Sequence, residues 1–161
     1  MLMTPIARTR LNFLLSYLCF GLVAFALWLQ HAEQLAPCPL CILQRYAFVG
    51  AGVFFLLSGL FGGSLARSGL WAGALVSGLG VAVAARHVYV LYNPSVSCGL
   101  DPVEDFVNSL PPAQWLPQVF FADGTCGAKL PPFLGLDIPE WSLIWLVLLT
   151  VVALVLSLRR Q

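Results

Sequence analysis

Long uncharged apolar runs alternate with short polar segments along this chain, and the lengths of the runs predict its elements. A bilayer core about 30 Å thick needs roughly 20 residues of helix rising about 1.5 Å each. Leu11 to Leu29, Tyr46 to Ala66, Ser68 to Ala85 and Trp141 to Leu158 come close to or reach that length without a charge. Allowing for helical ends, spans are expected at about 11–29, 43–63, 69–88 and 141–158, with outer loops at about 30–42 and 89–140. None of the runs has the one-sided patterning of a surface helix. Gly69, Gly73 and Ser77 recur at fourth-residue spacing in the third span, a pattern that lets helices in lipid approach closely. The expected fold class is an all-α membrane protein: a four-transmembrane-helix bundle, one domain over residues 1–161, with two loops on one side.

Composition sharpens this picture. The 161 residues are 60% hydrophobic and 9% charged, against roughly 45–50% and about 25% in soluble domains. A net charge of +1 gives no electrostatic footprint for nucleic acid, and the hydrophobicity excludes a disordered chain. Ala24-Phe25-Ala26 has the form of a signal-peptidase site. The apolar run of 19 residues nevertheless exceeds the roughly 7–15 of a signal core, so the first span is expected to be retained. Arg8, Arg10, Arg67, Arg159 and Arg160 fall on one side of the spans and Arg45, Arg86 and Lys129 on the other, which favours both termini inside. All seven acids lie in the two outer loops, and so do four of the five cysteines.

The first outer loop carries Pro37-Cys38-Pro39-Leu40-Cys41, a Cys-x-x-Cys where the second span begins. Pro39 suits the first helical position, where its missing N–H is no loss. Cys41 then lies in the first turn, where free N–H groups and the helix dipole favour a thiolate. Arg45 is four residues on, hence on the same face, and a permanent cation at an apolar boundary calls for an anionic or polar partner. A purely structural Cys38–Cys41 bond would close a tiny loop and restrain little chain entropy, so a redox couple is the better reading. A zinc site would want two close pairs, whereas Cys98 and Cys126 are 28 positions apart with no histidine between them. Those two could also form a static staple, and four cysteines permit three pairings.

The second outer loop holds eight of the eleven prolines and reads as long and irregular. Within it Trp115, Leu116, Val119 and Phe120 share a helical face, so a short membrane-parallel helix is expected just before Cys126, with Pro117 limiting its regularity; a helix packed within the loop fits the pattern equally. Cys98, between Ser97 and Gly99, suits contact with a partner. His87, at the outer end of the third span, is placed to hydrogen-bond a polar group near Arg45, although an interfacial histidine without special role is the preferred reading from sequence alone. His31 and Arg86 read as interfacial residues, and Cys19, mid-span, as a buried hydrophobe.

Taken together, these pieces carry a resemblance. Gln30-His31, Pro37-Cys38-Pro39-Leu40-Cys41 with Arg45, His87 with Leu91-Tyr92-Asn93-Pro94, and Cys98 all match one pattern. So does the block from Trp115-Leu116-Pro117-Gln118-Val119-Phe120 through Gly124-Thr125-Cys126 to Phe133-Leu134-Gly135-Leu136 and Trp141, which is the most specific of them. Over nearly its whole length the chain resembles the DsbB family, quinone-coupled thiol oxidases of the bacterial inner membrane. Pro39 varies from some relatives but leaves the cysteine spacing intact.

The resemblance implies cytoplasmic termini, periplasmic cysteine loops, and catalytic roles for Cys38, Cys41, Cys98 and Cys126. Reduced DsbA, a soluble periplasmic thiol oxidase, would attack a Cys98–Cys126 disulfide at Cys98. Cys126 would then engage Cys38 and free Cys41, which would donate to a bound quinone, either ubiquinone or menaquinone. Arg45 would polarise the quinone oxygen and His87 would sit beside the ring; no metal is implied. Two other readings stand beside this one: a quinone reductase like vitamin K epoxide reductase, and a four-span scaffold or small transporter with structural disulfides. The Trp115 to Phe120 block argues against the former, and the lack of acids within the spans against transport.

Overall fold

The computed structural model describes residues 5–93, 96, 100–126 and 133–158. Seven helices follow one another within them: α1 (Pro5–Ala32), α2 (Pro39–Leu60), α3 (Gly63–Tyr92), α4 (Leu100–Ser109), α5 (Pro111–Trp115), α6 (Pro117–Phe120) and α7 (Ile138–Leu158). Of these, α1, α2, α3 and α7 are long and apolar enough to cross a membrane. The fold is the expected four-helix membrane bundle. Cys98, Lys129, Arg159 and Arg160, which entered the sequence reading, lie outside the described residues.

The helix ends follow from local chemistry. Pro39 opens α2 directly after its cap, Cys38, as the sequence suggested. Between α2 and α3 the chain reverses through Phe61 and Gly62, and Gly63 takes a positive φ of 62°, which costs a glycine nothing. Helix α3 stops at Tyr92, two residues before Pro94, as expected where a proline keeps its predecessor out of the helical region. At the start of α7, Glu140 accepts a hydrogen bond from the Asp137 N–H at 2.9 Å, a capping box, and also accepts from the Tyr92 hydroxyl at 2.7 Å. One carboxylate thus ties the outer ends of α3 and α7.

Within the bundle α2 packs against both α1 and α3, and α3 against α7. Phe55, Ala51, Leu70, Ala74, Leu146 and Leu149 form the centre of the core. In lipid, association depends on close contact and polar links rather than on expelling water. Gly69 lies against the backbone of Phe54 and Ser58, and Gly73 against the Phe55 ring. Buried Ser77 accepts from the Thr150 hydroxyl at 2.9 Å across α3 and α7. At the other end of the bundle, Asn12 donates to Ser58 Oγ at 2.9 Å and Ser16 to the Gly52 carbonyl at 2.9 Å, joining α1 to α2. Cys19 is fully buried in the core, as expected. Leu14, Leu75, Leu79 and Val151 point outward, where lipid replaces a protein partner.

The second outer loop is more structured than its prolines suggested. Helix α4 covers Leu100–Ser109, and Val107 and Ala113 pack with Phe120 and Ala122 around Ile42 of α2. The four residues expected on one face are divided: the chain breaks at Leu116, so Trp115 closes α5 while Val119 and Phe120 belong to α6. Trp115 is 78% exposed, whereas Phe120 is buried and stacks on Tyr46 with centroids 4.6 Å apart. The cause is Pro117, which opens α6 and cannot continue a helix from α5.

The close approaches make a test. A Cβ on Gly80 would meet Ala47 Cβ at 2.6 Å and Leu146 Cδ2 at 2.9 Å, while one on Gly78 would meet Thr150 at an ordinary 3.8 Å. Gly80→Val should destabilise the bundle by about 1–3 kcal/mol, seen as a lower unfolding midpoint in detergent, with Gly78→Ala nearly neutral. Equal effects of the two substitutions would contradict this packing.

Candidate functional site

The site grows from the start of α2. Cys38 occupies the cap position in extended conformation, and its sulfur accepts from the Cys41 backbone N–H at 3.3 Å. A thiol here takes the role that a serine or aspartate oxygen plays in other helices. The two sulfurs lie 3.0 Å apart, with the Cys38 thiol donating to Cys41. Both are free thiols in this structure, while Cys126 is held in a disulfide. Cys38 is buried and Cys41 only partly so. The hydrogen bond to Cys41, reinforced by burial, keeps the Cys38 thiol well above the ordinary thiol range.

One turn further along α2, Arg45 is only 8% exposed. Its Nη1 donates to the Val119 carbonyl at 2.7 Å and its Nη2 to Gln30 Oε1 at 2.6 Å. The cation therefore has the polar partners its position demanded, and they come from the end of α1 and from α6. Gln30 in turn donates to the Gln118 carbonyl at 3.4 Å. Arg45 also lies close enough to Cys41 for their charges to interact. These two hydrogen bonds use two of the five N–H groups of a guanidinium, so further donors remain for another acceptor.

His87 of α3 completes the group. Only 3% exposed, it brings Nε2 to 3.6 Å from Cys38 Sγ, and its Nδ1 lies 3.0 Å from Gln44 Nε2. The Gln44 amide donates to Nδ1 in this arrangement, which leaves the ring proton on Nε2. The ring also meets the backbone of Cys126. His87 is thus enclosed, with Gln44 and Cys38 as its neighbours.

The second loop is docked on the first by main-chain groups. The Pro37 carbonyl accepts from the N–H groups of Asp123, at 3.2 Å, and Gly124, at 3.1 Å. Gly124 runs so close to the Ala36 and Pro37 backbone that no Cβ fits. Asn108 of α4 holds Ala122, two residues before Gly124, from both sides, donating to its carbonyl at 2.9 Å and accepting from its N–H at 2.8 Å. Cys126, two residues beyond Gly124, is thereby buried in one cluster with Cys38, Leu40 and Val90.

The fold thus brings Cys38, Cys41, Arg45, His87 and Cys126 together at one end of the bundle. Sequence reasoning missed the parts played by Gln44, Gln30 and Asn108. Gln44 left a trace as a polar residue three positions after Cys41 and next to Arg45 in a mostly apolar helix, and Gln30 was noted without a role. Asn108 left no sign, because its partner lies fourteen residues away in a loop.

The two thiols should differ in reactivity. A proton held on Cys38 keeps its thiolate scarce at neutral pH, and only rising pH should populate it. With the protein fully reduced at pH 7, maleimide should label Cys41 well before Cys38, as read by peptide mass mapping. Labelling of Cys38 first would contradict the proton placement.

A family model described as "Disulfide bond formation protein DsbB" matches residues 8–156. Relatives named Disulfide bond formation protein B include one from Ralstonia nicotianae, 56% identical, with 96% of this chain and 98% of the relative covered. One from Cupriavidus pinatubonensis is 52% identical, covering 96% of each chain, and one from Burkholderia pseudomallei is 44% identical, covering 94% and 90%. A four-helix membrane bundle with a Cys-x-x-Cys at the head of α2, matched across almost its whole length, belongs to the DsbB family, membrane proteins of disulfide bond formation.

Proposed function

We propose that this protein reoxidises a DsbA-like periplasmic thiol oxidase and passes the electrons through two cysteine pairs to a quinone in the bilayer. The observation that carries the reading is the burial of Cys126, already in a disulfide, beside Cys38 and His87 through the docking of its loop on Pro37. Disulfide exchange needs an attacking thiolate, an accessible sulfur and a leaving thiolate. Reduced DsbA attacks Cys98 of a Cys98–Cys126 disulfide, and Cys126 departs as a thiolate. Cys126 then attacks Cys38 of an oxidised Cys38–Cys41 pair, and Cys41 is the leaving group. A second DsbA thiolate closes the DsbA disulfide and returns Cys98, after which Cys98 displaces Cys38 from Cys126. The net result is oxidised DsbA, a restored Cys98–Cys126 disulfide and a reduced Cys38–Cys41 pair.

The residues around Cys41 suit its share of this work. It lies in the first turn of a helix, so the helix dipole acts on its sulfur, and Arg45 adds a permanent positive charge. Cys38 keeps its proton and shares a buried cluster with Cys126, whereas Cys41 is the more exposed residue. A quinone supplies a two-electron, two-proton acceptor that is soluble in lipid. The residues present fit such a group: Arg45 has N–H donors to spare for a carbonyl oxygen, and Leu40, Leu43, Val83 and Val90 make the surroundings apolar. Arg45 and His87 would hold it, with Cys41 as electron donor. On this reading both termini are cytoplasmic and the cysteine loops periplasmic, in the bacterial inner membrane.

Two substitutions in purified protein test the scheme. With Arg45→Met, the KM for quinone should rise at least tenfold while the mixed disulfide with DsbA still forms. With Cys98→Ser, that mixed disulfide should disappear. Unchanged quinone kinetics in the first, or a complex trapped through Cys126 in the second, would overturn the roles given to Arg45 and Cys98.

A further inference from the structure

The sequence reading set zinc aside because Cys98 and Cys126 are so far apart, but the fold assembles a different donor set. Cys38 Sγ, Cys41 Sγ and a ring nitrogen of His87 all lie within 4.8 Å of one another. We propose that, when the Cys38–Cys41 pair is reduced, these three side chains form a binding site for a thiophilic divalent cation such as Zn²⁺ or Cd²⁺.

The geometry is close to what such an ion requires. With zinc bonded to sulfur at about 2.3 Å and to nitrogen at about 2.0–2.1 Å, a tetrahedral site puts sulfur and nitrogen roughly 3.5 Å apart and the two sulfurs about 3.8 Å apart. Cys38 Sγ and His87 Nε2 are already at 3.6 Å. The two sulfurs, at 3.0 Å, share a proton and must separate by less than an ångström when that proton leaves. Three protein ligands leave a fourth position open, the arrangement of a Cys₂His site. Gln44 supplies the outer support such sites use: a half-turn of its amide places Oε1 against Nδ1–H and turns the Nε2 lone pair toward the thiols.

Charge and burial agree with this assignment. Two thiolates and a divalent ion sum to zero, which suits a site among Leu40, Val90 and Cys126 at the edge of the bilayer. Arg45 beside Cys41 therefore faces no net like charge. Binding releases the proton that the two sulfurs share and transfers no electrons. Once the pair is oxidised to a disulfide neither sulfur is a thiolate, so the site exists in the reduced state alone. On the function proposed above, a bound ion also halts reoxidation of the pair; binding itself does not depend on that reading, and a titration free of DsbA and quinone separates the two.

The test uses full-length protein in detergent carrying Cys98→Ser and Cys126→Ser, so that the Cys38–Cys41 pair and buried Cys19 are its remaining cysteines. After reduction with a phosphine, Cd²⁺ should give a saturable thiolate-to-cadmium absorption band at one ion per chain. Proton release should accompany binding, both cysteines should be shielded from maleimide, and Zn²⁺ should compete. Diamide oxidation or Cys41→Ser should abolish the band, and His87→Ala should weaken binding roughly tenfold or more. Absence of the band at millimolar Cd²⁺, its survival after oxidation, or full affinity in a folded His87→Ala protein would overturn the proposal.

Discussion

The Pro37 carbonyl takes two N–H groups from the second outer loop, at Asp123 and Gly124, and the character of the site depends on that contact. Without it, Cys126 would hang on a proline-rich segment free to sample many positions. With it, an otherwise distant sulfur is buried against the cap of α2. Main-chain hydrogen bonds suit this purpose because their geometry leaves little play, and Gly124 allows the two backbones to touch where any side chain would hold them apart. The neighbouring supports act in the same direction: Asn108 grips Ala122, and the Phe120 ring stacks on Tyr46 of α2.

A second constraint is the burial of Arg45 at a membrane boundary. An unpaired cation there is costly, and the fold meets that cost with a backbone carbonyl and a neutral amide, not with a carboxylate. A carboxylate would neutralise the field that acts on Cys41. Neutral acceptors hold the guanidinium in place yet leave its charge available. They also make Arg45 a mechanical link, since Gln30 lies in the last turn of α1 and Val119 belongs to α6. Electrostatics at the sulfur and docking of the loop therefore share one side chain.

Much of this was legible in the sequence, and for definable reasons. The four-helix class follows from the length of uncharged runs, a one-dimensional property, and the close approach of α3 to its neighbours from Gly69, Gly73 and Ser77. The helix start at Cys38 and the proximity of Cys41 to Arg45 follow from Pro39 and a spacing of four. Other features depend on distant parts of the chain or on groups every residue has. The clasp on Pro37 is made by backbone atoms, so Gly124 is its sole mark in the sequence. Gln44 meets His87 across 43 positions, and α4 was hidden because prolines at Pro102, Pro111 and Pro112 suggested an irregular loop. The expected single face from Trp115 to Phe120 failed because Pro117 restarts the helix and turns Phe120 inward.

Membership in the DsbB family explains why a short hydrophobic chain places four cysteines in its polar segments. The central claim is physical: docking of the second loop makes Cys126 and Cys38 neighbours that can exchange a disulfide. Peptide mass mapping of full-length protein carrying both Cys41→Ser and Cys98→Ser tests it most directly, since each remaining outer cysteine has lost the other member of its proposed pair. The account predicts that Cys38 and Cys126 join in a single disulfide under mild oxidation, within a folded bundle. Two free thiols, or cross-links only between molecules, would contradict it.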